Sequence, residues 1–151
     1  MPWLDETEPL ETMRSLLESN WVSYQEIPKP SIIIANDPEE PISRIDLNFG
    51  DYMVITSPSA EQVRYRGNVS YIDRIFPIMI TCYTKESRQR MRNMYKEVRA
   101  ICLIHKHTFP HWHFIRLLSG TREYFNTDLN LWRGEIQLQV ESHGVLAETS
   151  I

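Results

Sequence analysis

One pattern, which spans residues 72–140, limits the folds that this chain can adopt. A strand-like run at 71–83 leads into a helix-like run at 85–104, and two more strand-like runs follow at 111–119 and 132–141. Apolar and polar residues alternate in the last run, which predicts a strand with one buried face and one solvated face. The order of elements predicts an antiparallel sheet that packs against one helix.

The helix at 85–104 is amphipathic. Its apolar residues recur at helical spacing and form one face: Met91, Met94, Tyr95, Val98, Ile101 and Cys102. Four cations lie on or beside the opposite face, and these are Arg88, Arg92, Lys96 and Arg99. Ser87 or Thr84 is the candidate N-cap.

The first half of the chain predicts another helix and several strands. An apolar stripe predicts a helix over 7–21, and it consists of Leu10, Met13, Leu16, Leu17 and Trp21. Strands are predicted at 31–35, 42–47 and 52–56, with 62–66 also extended. Pro77, inside the run at 69–83, implies an edge, a bulge or a bend there. Residues 120–131 are predicted as a polar loop.

These elements predict an α+β fold in which a mainly antiparallel sheet packs against the central helix, with an N-terminal helix in addition. A chain of 151 residues fits one domain, which we expect to span 1–151. We expect residues 143–151 to form a flexible tail.

Charge is distributed unevenly along the chain, although the net charge is only −4. Residues 1–20 carry five carboxylates against Arg14, and residues 37–51 carry five against Arg44, whereas 85–99 carries six cations against two carboxylates. Such separation favours contact between unlike surfaces of neighbouring subunits. The alternative is a solvated helix face.

Four of the five histidines fall within nine residues, and these are His105, His107, His111 and His113. Imidazole binds zinc, copper and nickel, so this segment is a weak candidate metal site. No carboxylate lies in the segment and no His-Glu-x-x-His helix exists, which favours structural or surface histidines.

Catalytic patterns are missing from the sequence. It contains no Gly-x-Ser-x-Gly elbow and no glycine-rich phosphate loop. The paired carboxylates Glu39 and Glu40 lie in a proline-rich segment, where solvated charge is the default interpretation. Cys82 and Cys102 are expected to be small buried residues. We therefore expect no enzyme activity and no cofactor.

The partners that composition favours are other macromolecules. No apolar run approaches the roughly 20 residues that a membrane span requires. The cations of the central helix, with Tyr95 nearby, could contact a phosphate backbone. Because the chain is acidic overall, we expect such contact only where a ring of subunits lines a DNA channel.

The order of elements resembles the tail terminator, or tail-completion, proteins of long-tailed phages. The likeness is carried by the strand at 70–83, the helix that it feeds at 87–104, and the strand Arg-Gly-Glu-Ile-Gln-Leu-Gln-Val at 133–140. The region 37–50 and the histidine cluster depart from the family.

The resemblance implies a structural virion protein of the head-tail joining region. Such proteins form a ring, commonly a homohexamer, at the head-proximal end of the tail, where the ring ends tube growth and joins the tail to the head connector. The implied partners are further copies of the chain, the tail tube protein, the head-side connector and DNA in the ring lumen, with no membrane. The implied location is the virion tail or neck, after synthesis in the host cytoplasm.

The resemblance and the charge pattern together select eight candidate subunit or DNA-channel contacts: Arg88, Arg92, Lys96, Arg99, Glu39, Glu40, Arg122 and Asp128. Three alternatives stay open. The chain could be a neck connector ring protein, a non-viral α+β interaction domain, or a small enzyme or metal protein.

Overall fold

The computed structural model describes residues 7–21, 28–37, 50–65, 71–118 and 122–146. Within these ranges the chain forms two helices and seven strands. The helices are α1 (Thr7–Asn20) and α2 (Arg88–Ile104). The strands are β1 (Ser31–Ile34), β2 (Tyr52–Thr56), β3 (Gln62–Tyr65), β4 (Tyr71–Thr84), β5 (Phe114–Leu117), β6 (Arg122–Asn126) and β7 (Leu131–Leu146).

All seven strands belong to one sheet, built around the long antiparallel pair β4 and β7. On the far side of β4 lie β2 and β3, and on the far side of β7 lie β5 and β6, all antiparallel to their neighbour. Only β1 differs, because it pairs parallel to β2. The predicted α+β class, with a mainly antiparallel sheet and an N-terminal helix, is confirmed.

Pro77 lies in the long strand β4 at a position where its missing N–H costs nothing. On one side it pairs with Gln139 of β7. On the other side, the β2 pairing stops at Met79 and the β3 pairing stops at Ile75, so Pro77 faces the gap between these two strands. Proline is tolerated in a strand where its nitrogen needs no hydrogen-bond acceptor, as at the edge of a sheet. The gap between β2 and β3 provides such a position within β4. The irregularity in β4 lies elsewhere, between Ile72 and Arg74.

Both helices pack against one face of the sheet. That face is apolar because alternate residues of the strands point the same way, as Phe76, Ile78 and Ile80 do in β4. The predicted apolar face of α2 is confirmed: Met91, Met94, Val98, Ile101 and Cys102 are buried, and Tyr95 packs against the same core. Along α1, the buried members of the predicted stripe are Leu10, Met13 and Leu17, with Leu16 and Trp21 at the margin of the core.

A close approach between α2 and β7 depends on Gly134. A Cβ atom at this position would lie 3.0 Å from Cγ and 3.1 Å from Sδ of Met91. The glycine therefore lets the first turns of α2 settle onto the sheet. The helix itself begins after Ser87, whose hydroxyl accepts a hydrogen bond from the N–H of Arg90 at 3.0 Å.

Several boundaries differ from those that the sequence predicts. The predicted loop at 120–131 contains strand β6, and the strand predicted at 111–119 spans only Phe114–Leu117. The expected flexible tail starts too early, because β7 continues to Leu146 and pairs there with Tyr71. The strand predicted at 42–47, together with Glu39 and Glu40, lies outside the described residues.

Candidate assembly surface

The first half of α2 is tied to strand β6 by one carboxylate. Glu123 accepts hydrogen bonds from Arg88 at 2.8 and 3.1 Å, from Arg92 at 2.8 and 3.0 Å, and from the hydroxyl of Tyr95 at 3.1 Å. These donors lie on successive turns of α2, because residues three or four apart share a helix face. Two of the four predicted contact cations therefore serve to hold a hairpin within their own subunit.

The pKa of Glu123 reflects this arrangement. Hydrogen bonds from Arg92 lower it, burial opposes them, and hydrogen bonds from Arg88 and Tyr95 add to the lowering, so that the pKa falls from 4.5 to about 2. The carboxylate is thus charged at neutral pH. Its charge cancels part of the positive field of Arg88 and Arg92.

The later turns of α2 keep their charge available to a partner. Lys96 and Arg99 are exposed and form no ion pair with any residue in the described part of the chain. Leu103 and Ile104 follow them and are 60% and 76% exposed, which is unusual for large apolar side chains. The outer surface of α2 is therefore cationic in its middle and apolar at its C-terminal end.

Arg90 belongs to the interior side of the same helix. Its Nε lies 2.7 Å from Oδ2 of Asp51, a carboxylate that is only 5% exposed. Because Asp51 directly precedes β2, this ion pair fixes the start of α2 to the start of β2. The pair is structural and takes no part in the exposed cationic surface.

The structure does not bring the predicted metal ligands together. His105 is the C-cap of α2 and contacts Thr108, while His113 accepts a hydrogen bond at Nδ1 from the backbone N–H of His143 at 3.0 Å. His111 adopts a left-handed backbone at φ 70°. Over the described ranges, no three His, Cys, Asp or Glu side chains converge in a way that could hold a metal ion.

A second polar network lies on the sheet and was missed by sequence reasoning. Glu141 in β7 is almost fully buried and is paired with Arg116 of β5 and with His143, whose Nε2 lies 2.8 Å from Glu141 Oε1. Burial alone would raise the pKa of Glu141, but hydrogen bonds from Arg116, Gln139 and His143 outweigh it and hold the pKa below its usual value. The network anchors the edge strand β5.

Arg122 begins β6 and Asp128 lies in the β6–β7 turn, and both are exposed, as a contact role requires. The turn between the strands carries Leu129, which is 44% exposed, and Phe125 precedes it at 42%. Phe125 rests on Trp132, with ring centres 4.5 Å apart. The hairpin therefore ends in a surface that is partly apolar and carries one acidic side chain.

A groove lies at the other end of the molecule, between the C-terminal turn of α2 and strand β5. It has a volume of about 420 Å³, and its lining includes Leu103, Lys106, His107, Phe114, Arg116 and Leu117. The N–H of Ile115 donates to the carbonyl of Lys106 at 2.9 Å, which joins the two walls. No carboxylate lines this groove, so its walls are apolar and cationic.

Comparison with known proteins gives a structural relative and no sequence relative. No family model matches the chain, and no curated protein matches it. The fold is similar to that of a chain from a solved structure titled "Virion of native gene transfer agent (GTA) particle", with a TM-score of 0.60 and 11% sequence identity. The similarity covers 87% of this chain and 92% of that chain. At this identity the likeness establishes a shared fold.

The charged side chains of the described residues are mostly paired with each other, and burial raises the pKa of the two cysteine thiols. No helix in the described ranges is long and apolar enough to cross a membrane. Lys96 and Arg99 in the middle of α2, Leu103 near its C-terminal end, and Asp128 and Leu129 of the β6–β7 turn form the candidate assembly surface.

Proposed function

We propose that this chain is a structural protein of a phage-like virion. It assembles there as a closed ring, commonly of six copies, at the junction of head and tail. In this position the ring ends growth of the tail tube and offers a surface to the head-side connector. The chain catalyses no reaction and holds no cofactor.

The observation that carries the proposal is the shared fold with a chain of the gene transfer agent virion. The match extends over nearly the whole of both chains, so the resemblance does not rest on a common helix or hairpin. Fold alone does not fix function, and the surface supplies the second support. Cations and exposed apolar side chains concentrate along α2, whereas the β6–β7 turn exposes Asp128 beside Leu129. Unlike surfaces on one subunit suit head-to-tail contacts, which form a ring where the rotation between copies closes.

The proposal is tested by the mass of the purified chain and by its presence in particles. We expect size-exclusion chromatography with light scattering to give about 107 kDa, six times the 17.9 kDa of one chain. We expect mass spectrometry of purified virions to detect the chain at roughly six copies per particle. A chain that is monomeric at every concentration and absent from virions would contradict the proposal.

The same measurements separate the alternatives. A ring that binds the tail tube protein in pull-down assays supports a tail terminator, whereas a ring that binds only the head-side connector supports a neck protein. A monomer that captures a cellular protein supports an interaction domain outside the virion. Because Arg88 and Arg92 are bound to Glu123, any DNA contact that α2 makes in the lumen rests on Lys96 and Arg99. Weak DNA binding that disappears in K96A/R99A, with the ring intact, would support a channel-facing α2.

A further inference from the structure

The groove beside β5 has the properties of a docking site for an apolar and acidic element. Leu103, Phe114 and Leu117 supply its apolar walls, and Lys106, His107 and Arg116 supply positive or neutral polar groups. Arg116 is already paired with Glu141, but no carboxylate of the described chain pairs with Lys106. Its volume lies in the range of the pockets that enclose ligands in other proteins.

The β6–β7 turn has the complementary properties. Leu129 and Asp128 are exposed side by side at its tip. The side-chain oxygen of Asn126 accepts hydrogen bonds from the N–H groups of Asp128 at 3.0 Å and Leu129 at 3.1 Å. Asn130 completes the turn in a left-handed conformation at φ 50°. The turn is thus fixed before it binds, which lowers the entropy lost on association.

The turn and the groove lie at opposite ends of the subunit. The turn lies where α2 begins, since Arg88 at the first turn of α2 lies 6.0 Å from the ring centre of Trp132 next to the turn. The groove lies where α2 ends. A helix of 17 residues is about 25 Å long, so the two surfaces of one chain cannot meet each other. They can meet only between copies.

We propose that the turn at 126–130 of one copy occupies the groove between α2 and β5 of the next copy. Leu129 enters between Leu103 and Leu117, and Asp128 pairs with Lys106. The contact joins two different surfaces, so repeating it produces a ring or a helical filament. This inference rests on the proposed function, because it names the surfaces that join neighbouring subunits of that ring.

Helix α1 is a poorer occupant for the groove, although it is acidic. Its exposed residues Glu8, Glu11 and Glu18 offer no large apolar side chain to Leu103 and Leu117. The groove would then stay hydrated at its centre, and interface energy concentrates where water is excluded. The turn presents both an acidic side chain for Lys106 and an apolar side chain for the apolar walls of the groove.

Two matched pairs of substitutions test the contact. L103E changes a residue of the groove wall, whereas I104E changes its more exposed neighbour outside the wall. L129E changes the tip of the turn, whereas S59E changes an exposed position in the connection between β2 and β3, outside both surfaces. We expect L103E and L129E to weaken association at least about tenfold in concentration-dependent light scattering, as loss of a central interface residue does. I104E and S59E should assemble as the wild-type chain does, and all four should melt as cooperatively as the wild type.

A charge exchange tests the pairing directly. D128K and K106E should each weaken assembly, and the double variant should recover most of it. E11K, on α1, should have no effect. Assembly of D128K and L129E at wild-type strength would overturn this inference while leaving a ring, and hence the proposed function, in place. Loss of assembly in E11K but not in D128K would assign the groove to α1 and overturn it as well. A wild-type chain that never assembles would contradict both.

Discussion

The Glu123 cluster allows the sharpest test of how the hairpin is held. We consider the substitution E123Q, which keeps the shape of the side chain and removes its charge. The pKa of Glu123 falls from 4.5 to about 2 through its hydrogen bonds to Arg92, Arg88 and Tyr95. At about 1.36 kcal/mol for each pKa unit, this shift corresponds to at most about 3 kcal/mol of folding free energy.

Screening by solvent reduces this contribution to the folding free energy. The side chains of Arg88 and Arg92 are 53% and 37% exposed, although Glu123 itself is only 16% exposed. Ion pairs with exposed partners contribute far less than their geometry suggests. We therefore expect E123Q to lower the free energy of unfolding by about 1–2 kcal/mol at pH 7, and the melting temperature by roughly 3–6 °C for a chain of this length.

The effect has a defined pH dependence. Because the folded-state pKa is lowered, the charged carboxylate stabilises the fold fully above pH 4.5, and this stabilisation is lost as the pH falls from 4.5 towards 2. The difference between wild type and E123Q in urea unfolding should be constant between pH 6 and 8 and should shrink near pH 3. E86Q is the matched control, since Glu86 is 66% exposed and lies 3.7 Å from Arg90. Equal stability of E123Q and E86Q, or a difference that does not change with pH, would refute the reasoning.

Further predictions concern the sheet, the helix and the thiols. G134A should lower the free energy of unfolding by about 1–3 kcal/mol, because its Cβ would press on Met91 at 3.0 Å, and urea unfolding with an unchanged m-value checks this. R90A should cost about 1–3 kcal/mol, since it leaves the buried carboxylate of Asp51 without its arginine, whereas R14A, which breaks an exposed pair on α1, should be nearly neutral. Burial raises the pKa of Cys102 to about 12, and burial followed by the charge of Asp51 raises the pKa of Cys82 further, so neither thiol should react with an aromatic disulfide at pH 8 until the protein unfolds. Rapid labelling of the folded chain would show that the core is more open than the structure indicates.

The sequence predicts the helices and their faces well because helical periodicity is a local signal. The stripe from Leu10 to Leu17 and the apolar face of α2 each follow from spacings of three and four. Strand β2 is predicted at its observed bounds, since a short β-branched run between turn residues is equally local. The partner of each strand is not local, and the parallel pairing of β1 with β2 has no signature in either run.

Strand β6 shows why the sequence does not predict the β6–β7 hairpin. Its burial pattern has no clean alternation, and Tyr124, Phe125 and Asn126 are all exposed. Its position is fixed by Glu123, whose partners on α2 are 28 to 35 residues earlier in the chain. The network of Glu141 with Arg116 and His143 was missed for the same reason, because its strands meet only after the sheet forms. In a single sequence, such residues are indistinguishable from solvated charges.

The candidate contact residues on α2 also fall into two groups that only tertiary contacts distinguish. Arg88 and Arg92 were grouped with Lys96 and Arg99 because all four occupy one side of α2. The structure separates them, since the first two bind Glu123 and the last two remain exposed. Helical spacing predicts which side chains share a face, but only tertiary contacts decide which charges a partner can reach.

The central claim is that the chain acts as a repeated structural part of a virion. A reconstruction of the particle by electron cryomicroscopy tests this most directly. We predict a closed ring of about six copies at the head-proximal end of the tail, with the same face of every subunit turned to its neighbour. Density for isolated copies without rotational symmetry, or particles that lack the chain altogether, would contradict it.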